Sequence, residues 1–296
     1  MFKKIYVTLL WAANHPVNHG SKAKAILNFV RAQIGARMVL GDVCVPFPNE
    51  TRLLIPPLMK GATHFIWPGL VDFEEMSFVM HFLRPEDLFV DVGANIGAFT
   101  VMASAVAGAR TIAYEPAPFA FGYLERNTWL NNLSERVVVR AIALGATEGK
   151  IHFTAGLGTE NHISEGDSGE ERIEVQLSTL DAQLAGLEPT VIKIDVEGFE
   201  SDVLAGAMGV LAKPSLQVLI MERVGNASRF GRDESDLHKY VHNLGFNSYG
   251  YGPKSRELHP INGELAHGNV IYVRNFEMAA ERLRLAPAYR FADRGI

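Results

Sequence analysis

The chain of 296 residues carries one cysteine, Cys44. An internal disulfide is therefore excluded, as is a zinc site built from four thiolates. A reducing, cytoplasmic compartment is the expectation. Basic charge is also scarce: 28 Lys and Arg stand against 33 Asp and Glu, a formal net charge of −5. Broad binding of nucleic acid needs a basic face to neutralise phosphates, so nucleic acid is not an expected partner. No stretch reaches the roughly 18 apolar residues of a membrane-spanning helix. The run Ile5–Ala13 after Lys3 and Lys4 faintly resembles a signal peptide, but Asn14-His15-Pro16 replaces the small-residue cleavage site. It reads as the start of a folded domain. Apolar residues are plentiful at 48%. They suffice for a sizeable core, and the length allows one large domain or an elaborated core.

Residues 1–85 differ in pattern from the rest of the chain. Ala25, Ile26, Phe29, Val30 and Ile34 recur at close to helical period. Met38–Leu54, with Pro46, Pro48 and Asn49, predicts a hairpin. Phe73–Leu83 has the spacing of a helix that stops before Arg84-Pro85. The region is read as a small mixed cap of helix, hairpin and helix. From residue 86 short apolar runs alternate with helical segments: Leu88–Val92, Thr111–Tyr114, Val137–Val139, Thr190–Asp195 and Leu216–Met221 as strands, with helices over Ala98–Ala107, Phe119–Leu133 and Phe199–Leu211. Such alternation implies an α/β fold with a parallel sheet covered on both faces. Phe246–Tyr251 and Asn269–Val273 are expected to add edge strands, and residues 156–171 to form a mobile polar loop. A C-terminal helix and tail are expected over 276–296.

Three short stretches carry chemistry. In Val90-Asp91-Val92-Gly93-Ala94-Asn95-Ile96-Gly97 a strand ends in a glycine turn, where an open α/β sheet binds its ligand. The spacing is G-x-x-x-G, and Asn95 takes the place of the central glycine of a dinucleotide fingerprint. Glu115 follows Gly97 by 18 residues at the end of the next strand, suited to ribose hydroxyls. Together they suggest an adenosine-bearing ligand without a pyrophosphate. In Ile192-Lys193-Ile194-Asp195-Val196-Glu197-Gly198-Phe199-Glu200, Lys193 and Asp195 share one strand face. Lys193 reads equally as a catalytic group or a buried ion-pair partner, and Glu200 as structural. If Glu222 ends a neighbouring strand, Asp195 and Glu222 face one mouth, and repulsion would raise one pKa. Such a pair could act as a general base or hold magnesium; magnesium is the minority reading, since nothing fixes a third ligand. His162 could reach a substrate hydroxyl. His238 and His242, spaced i, i+4, read as a solvated helix face rather than a metal site.

These motifs, Phe89–Gly97, Tyr114-Glu115-Pro116 and Ile192–Glu200, resemble those of the FkbM-type S-adenosylmethionine-dependent methyltransferases over about residues 70–275. Residues 14–68 are similar, less distinctively, to the N-terminal extension of one bacterial branch. The resemblance implies a class I methyltransferase, Rossmann-like fold with a mostly parallel seven-stranded sheet, in a catalytic unit over 86–275. It implies O-methylation of a hydroxyl on a sugar, glycolipid or polyketide-type product. Asp91, Gly93, Asn95 and Gly97 would then cradle the methionine and ribose of the cofactor. Glu115 would hold the ribose diol, and Ala141-Ile142 would lie near adenine. Asp195, with Lys193 and Glu197, falls in the family's active-site motif. Asp195 is the expected base, His162 the runner-up and Glu222 a modulator, while Glu197, His162 and Glu222 are expected to meet substrate. The family's glycine- and serine-rich stretch is replaced here by Gly158-Thr159-Glu160-Asn161-His162. A saccharide or other small-molecule acceptor is the expected partner, and a homo-oligomer is left open. The rival readings are a nucleotide-dependent oxidoreductase, which the missing glycine disfavours, and a non-catalytic cofactor-binding subunit, which the acidic cluster disfavours.

Overall fold

A computed structural model describes residues 41–56, 70–154, 172–223, 234–261, 268–291 and 294–295, with isolated positions 9, 10, 14, 15, 22, 26, 27, 59 and 65. The first described strands form an antiparallel hairpin, β1 (Val43–Pro46) and β2 (Arg52–Ile55), with Val45 opposite Leu53. Helix α1 (Phe73–Phe82) comes next, then β3 (Leu88–Val92). Helix α2 (Ala98–Val101) runs on into a π-helical turn, Met102–Val106, before β4 (Arg110–Tyr114). Beyond it lie α3 (Pro118–Leu130), β5 (Val137–Arg140), β6 (Ala143–Leu144), β7 (Gly149–Thr154), β8 (Arg172–Ser178) and α4 (Leu180–Gln183). The second half holds β9 (Val191–Ile194), α5 (Glu200–Ala205), α6 (Met208–Leu211), β10 (Val218–Arg223), α7 (Glu234–Asn243), β11 (Asn247–Gly252), β12 (Glu257–Pro260), β13 (Gly268–Val273) and α8 (Phe276–Arg284).

The main sheet has the order β12-β11-β13-β10-β9-β3-β4-β5. Strands β10, β9, β3, β4 and β5 are mutually parallel, and β13 runs antiparallel between β10 and β11. The seven strands expected are joined by an eighth, β12, paired antiparallel to β11. Asn269–Val273, expected at an edge, is an inner strand. Its Val270, Ile271, Tyr272 and Val273 are all buried, the continuous burial of a strand covered on two faces. Ala143–Leu144, Gly149–Thr154 and Arg172–Ser178 form a second, three-stranded sheet that their mixed polar sequence did not announce. The helix expected over Phe199–Leu211 breaks at Gly206-Ala207 into α5 and α6.

Period-2 alternation sends Leu88, Val90 and Val92 into one apolar layer, shared with Val203, Leu204 and Leu211 of α5 and α6. Phe89 points into the other layer, with Val101 of α2, Met76 and Val79 of α1, and Leu283 of α8. That second layer also takes Val45, Leu53 and Ile55 of the hairpin, so residues on both sides of position 85 share one core. Asn127 on α3 and Asn131, which ends that helix one turn on, tie the hairpin down. Asn127 Oδ1 accepts from the Leu54 N–H at 2.6 Å and Asn131 Oδ1 from the Arg52 N–H at 2.9 Å. Their Nδ2 groups donate back to the same residues' carbonyls, at 3.0 and 2.8 Å. Among the described residues no helix is long and apolar enough to cross a membrane.

Candidate active site

From β3 the chain moves through β4 to β5 on one side, then returns to build β9 and β10 on the other. The carboxyl ends of β3 and β9 therefore flank a topological switch point, where such sheets leave a crevice. A cavity of about 240 Å³ opens there, lined by Gly93, Asn95, Glu115, Ile142, Lys193 and Asp195 among others.

The glycine turn owes its residues to close approach. Gly93 adopts φ +78°, and a Cβ there would lie 1.9 Å from the Asp195 carbonyl oxygen. Its N–H and that of Ala94 both donate to the Tyr114 carbonyl, at 3.0 and 2.9 Å. Gly97 has a different reason: at φ +88° a Cβ would sit 2.7 Å from Leu124 Cδ1 of α3. It lets α2 pack on α3 and does not line the cavity. Asn95, at φ 51°, accepts the Ile96 N–H on its Oδ1 at 2.8 Å, the local bond that makes asparagine tolerant of this conformation. Across the cavity, Glu115 Oε2 accepts from the Asn95 N–H at 2.8 Å and Oε1 from the Ala117 N–H at 2.9 Å. Burial nevertheless pushes this carboxyl up to about 7.

Beneath the mouth lies a chain of charges. Asp91 is buried one residue below the turn and does not line the cavity; its Oδ2 accepts from Thr100 Oγ1 at 2.7 Å. Burial raises its carboxyl, against the pull of Lys193. Lys193 Nζ donates to Asp195 Oδ2 at 2.7 Å and sits 4.7 Å from the centre of the Phe99 ring. Burial alone would lower this ammonium, but Asp195 and Asp91 outweigh it and hold it above the ordinary lysine value. Burial would raise Asp195, yet Lys193 and a hydrogen bond with Glu222 bring it below the usual carboxylate range. Glu222 is pushed strongly upward, by burial first and then by the Asp195 charge. The opposite directions favour Glu222 over Asp195 as the proton-holding member of the pair.

Glu197, at φ 54°, brings a third carboxylate: one oxygen each from Asp195, Glu197 and Glu222 lie within 4.8 Å of one another. A divalent cation could bridge that spacing, where Lys193 already pairs with Asp195 at 2.7 Å. Glu200 turns inward and accepts from the Val196 and Gly198 N–H groups, both at 3.2 Å, bracing the loop after β9.

Of the residues singled out from the sequence and the resemblance it carries, Gly93, Asn95, Glu115, Ile142, Lys193, Asp195, Glu197 and Glu222 line the cavity, and Asp91, Gly97 and Ala141 do not. His162, with its loop, lies outside the described residues. His238 and His242 are not a solvated face. They are half-buried, their Nε2 atoms 2.9 Å apart, with His238 Nδ1 3.1 Å from the Tyr272 hydroxyl. Sequence reasoning missed Asp72, Phe99 and Phe153, which also line the cavity. Phe99 could have been suspected from its place in the first turn after the glycine loop; Asp72 and Phe153 carry no local signal.

Residues 91–248 match the family model described as the methyltransferase FkbM domain. The hexuronic acid methyltransferase AglP of Haloferax volcanii is 31% identical over 147 residues, 46% of this chain and 56% of that protein. Methyltransferase sdnD of Sordaria araneosa is 27% identical over 52% of this chain and 73% of its own length. Methyltransferase 1 of Beauveria bassiana is 32% identical over 41% of this chain and 59% of its own. The chain thus spans little more than half the length of two of these relatives. The crystal structure of methyltransferase FkbM from Methylobacillus flagellatus KT overlaps 84% of this chain and 60% of that one, at 14% identity and a TM-score of 0.46.

Proposed function

The chain belongs to the FkbM methyltransferase family, whose domain model covers more than half of it, and on that premise we propose that it moves the methyl group of S-adenosylmethionine to a hydroxyl of a saccharide or related natural product. The observation that carries the cofactor is Glu115. A buried carboxylate at the end of β4, held by the N–H groups of Asn95 and Ala117, faces a cavity from a strand end. A carboxylate in that place can accept from the hydroxyls of a ribose diol. The residues present fit the group: Glu115 would hold its ribose, Ile142 would lie beside its adenine, and the Gly93–Asn95 turn would receive its methionine end. AglP acts on a hexuronic acid, which supports a sugar acid or its glycosides as the acceptor class to try first.

S-adenosylmethionine brings a methyl group already activated on a cationic sulfur. The protein's part is to align the acceptor oxygen, exclude water and place negative charge near the sulfur. Alignment of two bound reactants supplies roughly 7–11 kcal/mol of such a barrier. Asp195, fixed by Lys193 and Glu222, offers a charge whose position is set before either reactant arrives, the condition under which electrostatic stabilisation is strongest. Phe99 and Phe153 give the cavity apolar walls.

The test is calorimetric binding of S-adenosylmethionine, then incubation with the methyl-labelled cofactor and either D-glucuronic acid or an extract of the producing cell. Binding in the micromolar range and a labelled methyl ether identified by mass spectrometry are expected. An absence of cofactor binding would overturn the reading, and binding without transfer to any acceptor would favour a non-catalytic subunit.

A further inference from the structure

Asp72 stands immediately ahead of α1, where an aspartate ordinarily caps a helix by accepting a first-turn N–H. Here the side chain makes no capping bond, and its backbone sits at φ −95°, ψ 73°. The carboxylate lines the cavity instead, together with Lys193, Asp195 and Phe99. Among the described residues no hydrogen bond or close ion pair engages it.

Three other carboxylates at or beneath the cavity already have partners. Asp195 is bound to Lys193 at 2.7 Å, which helps hold its carboxyl below the ordinary range. Both oxygens of Glu115 accept backbone N–H groups. Asp91 lies beneath, bonded to Thr100. A proton acceptor needs an open lone pair on the cavity wall, and Asp72 offers one.

We propose that Asp72 is the catalytic base that takes the proton of the acceptor hydroxyl, a role that rests on the methyl-transfer reading above. In that step the acceptor oxygen forms a bond to the methyl carbon. The sulfur–carbon bond breaks with its electron pair staying on sulfur, and the hydroxyl proton passes to Asp72. The products are a methyl ether, a neutral thioether and a protonated Asp72, which then releases its proton to water.

The electrostatics agree. Burial raises Asp72 to about 6, with Lys193 pulling it down and Asp195 pushing it up. Glu75, one turn along α1, is raised to about 8 by its own burial and then by Asp72, so at neutral pH it is largely uncharged and leaves the Asp72 anion its place. A base works best with a pKa close to the operating pH, and Asp72 meets that condition where Asp195, held below its ordinary range, does not.

The test compares wild type with Asp72→Asn and Asp72→Glu. Each is assayed for S-adenosylmethionine affinity by calorimetry and for transfer of labelled methyl to D-glucuronic acid and to cell extract across pH 5–9. Asp72→Asn should lower turnover by about 10²-fold or more, with cofactor affinity unchanged within about threefold, and should abolish the acid limb of the pH profile. Asp72→Glu should restore part of the turnover with the limb moved. Independently of activity, the carbon-13 carboxyl resonance that disappears in Asp72→Asn should titrate near pH 6 in the cofactor-free chain. Turnover within about threefold of wild type in Asp72→Asn would overturn the assignment, as would a tenfold loss of cofactor affinity, which would make Asp72 a cofactor clamp. So would titration of that resonance below pH 5, or an absence of transfer by a wild-type chain that binds cofactor. A wild-type chain that does not bind S-adenosylmethionine would instead sink the methyltransferase reading itself.

Discussion

The side-chain amide of Asn127 donates to the Ile96 carbonyl at 2.8 Å, joining helix α3 to the turn that borders the cavity. The same residue also pairs with both backbone groups of Leu54, so a fully buried asparagine links the N-terminal hairpin to that turn. Replacing it with alanine strands the Leu54 N–H and the Ile96 carbonyl, and each buried unsatisfied group costs about 1–3 kcal/mol. Asn127→Ala should therefore lower the thermal midpoint by several degrees and weaken S-adenosylmethionine binding several-fold. Unchanged cofactor affinity would mean that the turn holds its shape without the hairpin.

Gly97 supplies a sharper distinction. Its added Cβ would meet the far end of the Leu124 side chain rather than backbone. Gly97→Ala is expected to cost about 1–3 kcal/mol from crowding, with further strain from its left-handed backbone. Leu124→Val in the same chain should recover part of that loss, while Gly97→Ala alone leaves the cofactor dissociation constant little changed. A double variant no more stable than Gly97→Ala would argue against the packing role.

Cofactor affinity should depend on pH through Glu115. Its carboxyl is raised to about 7 by burial, and the ionised form is the better acceptor for a ribose diol. Lowering pH from 8 to 6 protonates it and should weaken S-adenosylmethionine binding. Glu115→Gln should bind weakly at every pH, with the slope gone. A wild-type affinity that stays level from pH 8 to 6 would place the diol elsewhere.

Stability of the cofactor-free chain should run the opposite way. Glu75 is raised to about 8, and Glu115 and Glu200 to about 7, in each case chiefly by burial. Raised acid pKa values mean that the folded chain binds these protons more tightly than the unfolded chain, in which carboxyls titrate near 4. Stability therefore rises as pH falls through that window. The thermal midpoint should be higher at pH 6.5 than at 8.5, by a smaller margin with S-adenosylmethionine present, because the cofactor favours ionised Glu115. A midpoint that falls over the same interval would show that these groups are solvated.

Much of the fold was legible because its signals are local. The parallel strands are short apolar runs bounded by turns, and Gly93 marks a strand-to-helix turn. Helix α1 stops one residue short of Arg84-Pro85, at the restricted pre-proline backbone. Strand β13 was harder to place, since an apolar run reads alike at an edge and in the middle of a sheet. The second sheet was hidden because its strands show neither clean alternation nor continuous burial: Gly149–Thr154 exposes three of its first four residues.

By itself, the sequence determined the order of the parallel strands, the glycine turn, the acid 18 residues beyond it and the Lys193-Ile194-Asp195 strand end, since each depends on neighbours a few positions away. Only the tertiary structure decided which carboxyl holds a proton. Burial raises Asp91, Glu115 and Glu222, whereas Lys193 at 2.7 Å helps bring Asp195 below its ordinary range. It also separated Gly93, pressed against the backbone of β9's exit, from Gly97, pressed against Leu124. And it set Asp72, just ahead of α1, in the wall of the cavity, because distances between elements far apart in the chain are written in no single stretch of it.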